Sequence, residues 1–400
     1  MTVGNRLGVA ALALIEQGLW SAGFLAFTAV TAVTLDAADL ADLALSTAIG
    51  LIFLAAIRAW SIDAVIVLGN GSALAGRLRR ITAAYILGSV GSATICGAWL
   101  GLSASSENGI VYTAFAAALV LGDLGRYRAL AGANLSVSIS YASCYAVAGA
   151  VATLIGYRTA NGLAVVWLWV VVLALLSVPT MVRLLFIDLS PRVELRELPK
   201  YARYMTLESV YLGVAGQAAI FLCVALGTDQ DVTGLRLAYS LAFAPAGLVV
   251  QGLGPHVLRL GSRVRDSKQG VRYAAYWGSF CAAGYMLSGF AFATFFGDVH
   301  SENLDLASTF VPAVGSLLIA QVCTNAMQVP FRYRYGPRAS QLLRLAGVMI
   351  DILFQLAGLL IGATNGFILS IYAASVVRLV IVSVVGVKLF YAPEADHIRS

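Results

Sequence analysis

Long apolar runs alternate with short polar loops along the whole chain. Twelve of them predict helices, at 8–34, 43–67, 81–103, 109–125, 136–156, 163–186, 204–227, 234–258, 273–296, 308–328, 341–362 and 367–391. Each is close to the roughly 20 apolar residues that cross a bilayer. A few charges interrupt the pattern: Arg58 and Asp63 in the second run, Glu16 in the first, Asp351 in the eleventh and Arg378 in the twelfth. Charges at such depth face a protein interior, a wet cavity or a partner charge. With the second helix at 43–67, Arg58 lies about 14 Å from its far end at 1.5 Å per residue, near mid-bilayer. Several inward charges in a chain without a sizeable external domain read first as a transporter.

The polar loops differ in sign. One side carries nearly all the Lys and Arg, including Arg77, Arg79, Arg80, Arg126, Arg128, Arg192, Arg196, Lys200, Arg203, Arg259, Arg263, Arg265, Lys268 and Arg272. The other side is acidic, with Asp36, Asp39, Asp42, Glu107, Asp229, Asp231, Asp298, Glu302 and Asp305. The positive-inside bias makes the basic side cytoplasmic. Twelve spans then put both termini there, as expected for a bacterial inner-membrane protein. The longest basic loop divides the chain into an N-terminal six-helix lobe at 1–190, a linker at 191–203 and a C-terminal six-helix lobe at 204–400. Glu16 and Glu208 sit near the starts of the two halves, in Ile15-Glu16-Gln17-Gly18-Leu19 and Leu207-Glu208-Ser209-Val210-Tyr211, as a parallel repeat would place them.

Composition agrees with the pattern. The chain is 60% hydrophobic and 12% charged, with a mean hydropathy of +0.85, against about 25% charge in ordinary soluble domains. The net charge of +6 resides in short loops and forms no continuous stripe, so nucleic acid is not an expected partner. Cys96, Cys144, Cys223, Cys281 and Cys323 all fall in apolar segments and read as small buried hydrophobes. The first apolar run contains Glu16 and Gln17 and is longer than a signal-peptide core, so it reads as an uncleaved first helix. There is no phosphate-binding G-x-x-x-x-G-K-[ST] loop, metal cluster or Ser/His/Asp constellation. No cofactor and no enzymatic activity are expected.

Two stretches carry paired polar groups inside apolar helices: Glu16-Gln17-Gly18-Leu19-Trp20-Ser21 in the first and Arg58-Ala59-Trp60-Ser61-Ile62-Asp63 in the second. They resemble the acid-Gln opening of the first helix and the second-helix Arg and acid of the O-antigen-type flippases, in the multidrug/oligosaccharidyl-lipid/polysaccharide (MOP) exporter superfamily. Gly122-Asp123-Leu124-Gly125-Arg126-Tyr127 resembles the end of the fourth helix. Gly234-Leu235-Arg236-Leu237-Ala238-Tyr239-Ser240-Leu241, followed by Pro245 and Gly254-Pro255, resembles the eighth. The chain departs from the pattern at Phe24, where an Asn is usual, and at Ala64, where a Pro is frequent. The resemblance implies an all-α integral membrane protein with about twelve transmembrane helices in two six-helix lobes around a central cavity. It also implies a polyprenyl-phosphate-linked glycan as cargo, handled among membrane lipids and beside glycan-synthesis enzymes.

Such cargo needs cations for its phosphates, and Arg suits that role because its planar fork grips two oxygens at once. The candidate head-group contacts are Arg58, Arg378, Arg344 and Arg236. Competing readings stand beside each: an intramembrane pair of Arg58 with Asp63 or Glu16, a pair of Arg378 with Asp351, and headgroup snorkelling for Arg344 and Arg236. Arg126 and Arg128 read as cytoplasmic topology markers. Glu16, Asp63, Asp351 and Glu208 are the candidate ion-coupling carboxylates, because a low-dielectric interior favours the protonated form of a carboxyl group. Two other functions remain open: an ion-coupled small-solute or drug antiporter of the same superfamily, and a non-transport scaffold subunit of a cell-envelope glycan synthesis complex.

Overall fold

The computed structural model describes residues 3–63, 78–103, 108–131, 134–186, 198–241 and 302–391, together with Met286. Among these residues all regular structure is helical: α1 (Val3–Thr34), α2 (Ala37–Arg58), a π-helical turn (Ala59–Asp63), α3 (Leu78–Ser103), α4 (Gly109–Ala131), α5 (Leu135–Thr159), α6 (Gly162–Phe186), α7 (Leu198–Leu226), α8 (229–241) and α9 (Glu302–Tyr391). Eight helical segments among them are long and apolar enough to cross a membrane. The expected ninth span, the second half of the eighth, and Cys281 lie outside the described residues, apart from Met286.

The chain sets these boundaries locally. Asp36 caps α2, its side chain accepting from Asp39 N at 2.8 Å. Asn134 caps α5 in the same way. At the other end of α5, Ala160 takes a left-handed conformation (φ 50°) and its N–H returns to Gly156 O at 2.9 Å. Thr228 and Asp231 bond reciprocally, Thr228 N to Asp231 Oδ2 at 3.1 Å and Asp231 N to Thr228 Oγ1 at 3.2 Å, which starts α8.

Three boundaries differ from the expected ones, with consequences for the site. Because α2 starts at its Asp36 cap, Arg58 lies roughly 30 Å along the helix from Ala37, well past the midplane. Helix α4 runs on to Ala131 and carries Arg126 inside it, where the pattern had placed a loop from 126 onward. Helix α7 begins at Leu198, so residues 198–203, assigned to the linker, are helical.

Residues Glu302–Tyr391 are helical without interruption, but they do not form one rod. The chain reverses at Ala363 (φ 47°), where a Cβ on Gly358 would meet Ser370 Cβ at 2.5 Å. The hydroxyls of Ser316 and Ser375 approach to 3.1 Å. That contact requires the chain to turn again between those two limbs. The expected tenth, eleventh and twelfth spans all fall in this stretch.

Packing within residues 3–186 centres on aromatic rings. Phe27 stacks on Trp169 at 4.7 Å and on Phe115 at 5.4 Å, while Trp169 Nε1 donates to Tyr145 Oη at 3.1 Å. The main joint is α1 against α5, which approach so closely that a Cβ on Gly149 would lie 2.9 Å from Gly23 Cα. Gly149→Leu should therefore wedge these helices apart and lower the melting midpoint in detergent, at a cost of about 1–3 kcal/mol. Gly101→Leu, where a Cβ meets nothing within 4 Å, is the neutral control.

A second core joins the two halves. Ala41, Ala44 and Ala48 of α2 pack with Ile220 and Cys223 of α7, Leu235 and Tyr239 of α8, and Phe310, Leu317 and Phe367 of α9. Small residues on α2 allow this approach. The four cysteines among the described residues are free: Cys96 and Cys223 are buried, Cys323 is half-buried and Cys144 is exposed.

Candidate functional site

Five helices of the N-terminal half converge on one chain of charges. On α4, Asp123 and Arg126 are three residues apart and so share a face. Arg58 ends α2, and the wide turn Ala59–Asp63 follows it. Its guanidinium grips Asp123 side-on, Nε donating to Oδ2 at 2.7 Å and Nη2 to Oδ1 at 2.5 Å. Tyr85 of α3 donates to the same Oδ2 at 3.3 Å. Arg126 stands 3.7 Å from the other Asp123 oxygen and closes on Glu16 of α1, Nε to Oε1 at 2.6 Å and Nη2 to Oε2 at 3.2 Å. Gln17 Oε1 also accepts from Arg126, and Ser138 of α5 donates to Glu16 at 2.8 Å. Two rings cover the cations: Trp20 lies 4.4 Å from Arg126 Cζ and Tyr127 lies 4.4 Å from Arg58 Cζ.

The resulting network Arg58–Asp123–Arg126–Glu16 is formally neutral. Glu16, Asp123 and Arg126 are each 1% exposed. The Arg58 side chain remains 19% exposed and is the member of the four that reaches the surface. All four lie roughly 20–32 Å along their helices from the ends nearest Asp36 and Asn108, so they form one layer in the far half of the bundle. This corrects the mid-bilayer depth expected for Arg58. It also replaces the expected Arg58 partners, Asp63 or Glu16, with Asp123, and moves Arg126 from a surface marker to a buried cation. Asp63 ends the π turn, and its side chain lies outside the described residues. Sequence reasoning missed Asp123 and Arg126 as a pair. The available signal was an acid and a base three residues apart with apolar sequence continuing on both sides.

The other sequence-derived candidates are distributed over the second half. Arg378 donates from Nε to Asp351 at 2.6 Å and from Nη2 to its second oxygen, across the two limbs of α9 that meet at Ala363. Asp351 is fully buried, and Gln355, one turn on, is buried with neither amide atom bonded among the described residues. Arg344 pairs with Glu208 of α7 at 2.8 Å, both largely buried. Arg236 of α8 is half-buried, its Cζ 5.8 Å from the Phe24 ring across the two halves of the chain, and no carboxylate among the described residues pairs with it. Phe24, standing where the related motif has a polar residue, thus faces a cation.

At the ends near Asp36, the two halves are sealed together. Asn303 Nδ2 donates to Ala32 O at 2.8 Å and Thr233 Oγ1 to Ala37 O at 3.0 Å. Leu237, Leu304 and Ala307 close over Ala32. A small pocket of about 320 Å³ remains in this seam, lined by Asp36, Gln230, Glu302 and Asn303 among others.

No protein-family model and no curated protein sequence matches the chain. Solved structures do. A MATE multidrug transporter, DinF-BH in complex with R6G, is similar over 96% of each chain at 14% identity with a TM-score of 0.64. The lipid II flippase MurJ, in an inward closed conformation, is similar over 96% of this chain and 88% of its own at 12% identity, with a TM-score of 0.60. The Vibrio cholerae MATE transporter VcmN in its bent form is similar over 96% and 98% at 11% identity, with a TM-score of 0.57. The chain has the MATE/MurJ fold. That fold is the expected all-α membrane architecture of two six-helix lobes. Within the MATE/MurJ fold, the Arg58–Glu16 network lies in the N-terminal half of the chain, the Asp351–Arg378 pair lies in the C-terminal half, and the Arg236–Phe24 contact joins the two halves.

Proposed function

We propose that this chain is a MOP-type flippase or exporter that moves a polyprenyl-(di)phosphate-linked saccharide from the cytoplasmic to the outer leaflet by alternating access. The division into lobes at 1–190 and 204–400, cytoplasmic termini and an inner-membrane location are part of this proposal. The observation that carries it is Arg58: an intramembrane guanidinium, oriented by Asp123, whose side chain remains 19% exposed in the half of the bilayer we assign to the basic loops. Arg has five N–H donors, and the side-on grip of Asp123 engages Nε and Nη2, leaving Nη1 and the end-on edge for a phosphate. Arg236 supplies a second cation farther along the path, at the lobe boundary. The seam at Asn303 and Thr233 closes the outer side in this orientation, so the head group enters from the cytoplasmic side.

We assign fewer head-group contacts than the sequence offered. Arg378 is 6% exposed and engages Asp351 through two bonds, so we assign that pair to holding the C-terminal lobe together. Arg344 and Glu208 tie α9 to α7 in the same manner. Glu16 anchors Arg126. Proton or cation coupling in this chain then falls to carboxylates whose pairing changes during the cycle, with Asp123 nearest the proposed head-group site.

The test is flipping of a fluorescent polyprenyl-diphosphate-linked sugar in proteoliposomes. Arg58→Ala should abolish it and Arg236→Ala should slow it at least tenfold, with membrane insertion unchanged for both. Normal transport by Arg58→Ala would overturn the assignment. Export of a cationic dye by the wild type, with no flipping, would favour a drug antiporter instead.

A further inference from the structure

Asp123 is the one carboxylate in the network shared between two guanidiniums. It is bound bidentately to Arg58, and Arg126 waits 3.7 Å from Oδ1. We propose that Asp123 is a competing counter-ion: it yields Arg58 to an incoming phosphate by turning to Arg126, and expels the phosphate by returning. This rests on the reading of Arg58 as the head-group contact.

The argument is one of charge and geometry. A free guanidinium in low dielectric would hold a phosphate too tightly for a carrier that must release it. A carboxylate that neutralised Arg58 permanently would limit a phosphate to a weak contact at the Nη1 edge. Asp123 avoids both outcomes because its charge stays compensated in either position. Paired with Arg58 it has Tyr85 as a further donor, and turned away it has Arg126. Arg126 is held in place for this by Glu16, Gln17 and the Trp20 ring, and Glu16 is in turn held by Ser138. These partners make Arg126 a fixed post and leave Asp123 as the movable member. Only Arg58, at the accessible end of the chain of charges, meets the ligand. Asp123 therefore acts through Arg58 as a positioning residue.

The experiment measures binding of farnesyl diphosphate to the purified full-length protein in detergent, alongside flipping in proteoliposomes. Asp123→Asn keeps the shape and one acceptor but removes the charge. It should tighten binding by about tenfold, near 1.4 kcal/mol, and slow flipping by a similar factor. Tyr85→Phe removes one donor from Asp123 with little risk to folding, and should shift the balance two- to threefold in the same direction. A purely structural role for Asp123 moves binding and flipping down together, and that result in Tyr85→Phe or in folded Asp123→Asn overturns the inference. If wild type and Arg58→Ala bind farnesyl diphosphate equally, the head-group reading itself fails. If Arg58→Ala loses binding while both Asp123→Asn and Tyr85→Phe match the wild type, only the counter-ion role fails.

Discussion

Arg126→Ala should be the most damaging single change in the N-terminal lobe. The side chain is fully enclosed and serves two carboxylates, so its loss strands Glu16 and takes from Asp123 one of its two cations. Removing one partner of a buried pair costs about 3–5 kcal/mol, because the other charge remains without compensation. The Trp20 ring also loses the cation it covers, and Trp20 is stacked on Tyr145 at 3.9 Å, so the damage extends into the aromatic core. The expected result is a melting midpoint lower by roughly 5–15 °C for purified protein in detergent, with little correctly folded material at 37 °C. Adding Glu16→Gln to Arg126→Met should recover part of the loss, since a neutral pair needs no counter-charge. A melting curve for Arg126→Ala that overlays the wild type would mean that the network is wetter and looser than its geometry indicates.

Asp351→Ala is expected to be nearly as severe in the other lobe. Arg378 would lose its carboxylate partner in a site where Asp351 was fully buried, again at a cost of about 3–5 kcal/mol. The pair also clamps the hairpin at Ala363, so its loss should free one limb of α9 from the other. Limited proteolysis near 363 should be faster in Asp351→Ala than in the wild type. The charge-swapped Asp351→Arg/Arg378→Asp protein discriminates among roles: it should restore the melting midpoint and retain substantial flipping, because we assign this pair to architecture. Restored stability with abolished flipping would return Arg378 to the list of head-group contacts.

Much of this was legible from the chain. The apolar runs mark helix after helix, because bilayer-spanning helices satisfy their backbone bonds locally and advertise themselves by hydropathy, although the start of α2 was placed at 43 because Asp36, Asp39 and Asp42 read as loop residues. The existence of inward charges was equally plain at Glu16, Arg58, Asp351 and Arg378. Their partners were not. Asp123 is 65 residues from Arg58 and Glu16 is 110 from Arg126, and no local pattern reports contacts over such separations. The fourth helix was ended too early because Arg126 and Arg128 look like loop residues. Only the surrounding acids and aromatic rings make a guanidinium stable inside the bundle.

The sequence by itself determined that the chain lives in a membrane, that its polar loops differ in sign between the two sides, and that a small set of ionisable groups is buried. These follow from the cost of exposing apolar surface to water and of placing charge in hydrocarbon, both of which act residue by residue. Only the tertiary structure decided which charges neutralise one another, which guanidinium of the network stays partly exposed and where the two halves of the chain are sealed. Coulomb energy at a few ångströms depends on how helices are packed, and that packing is a property of the whole bundle.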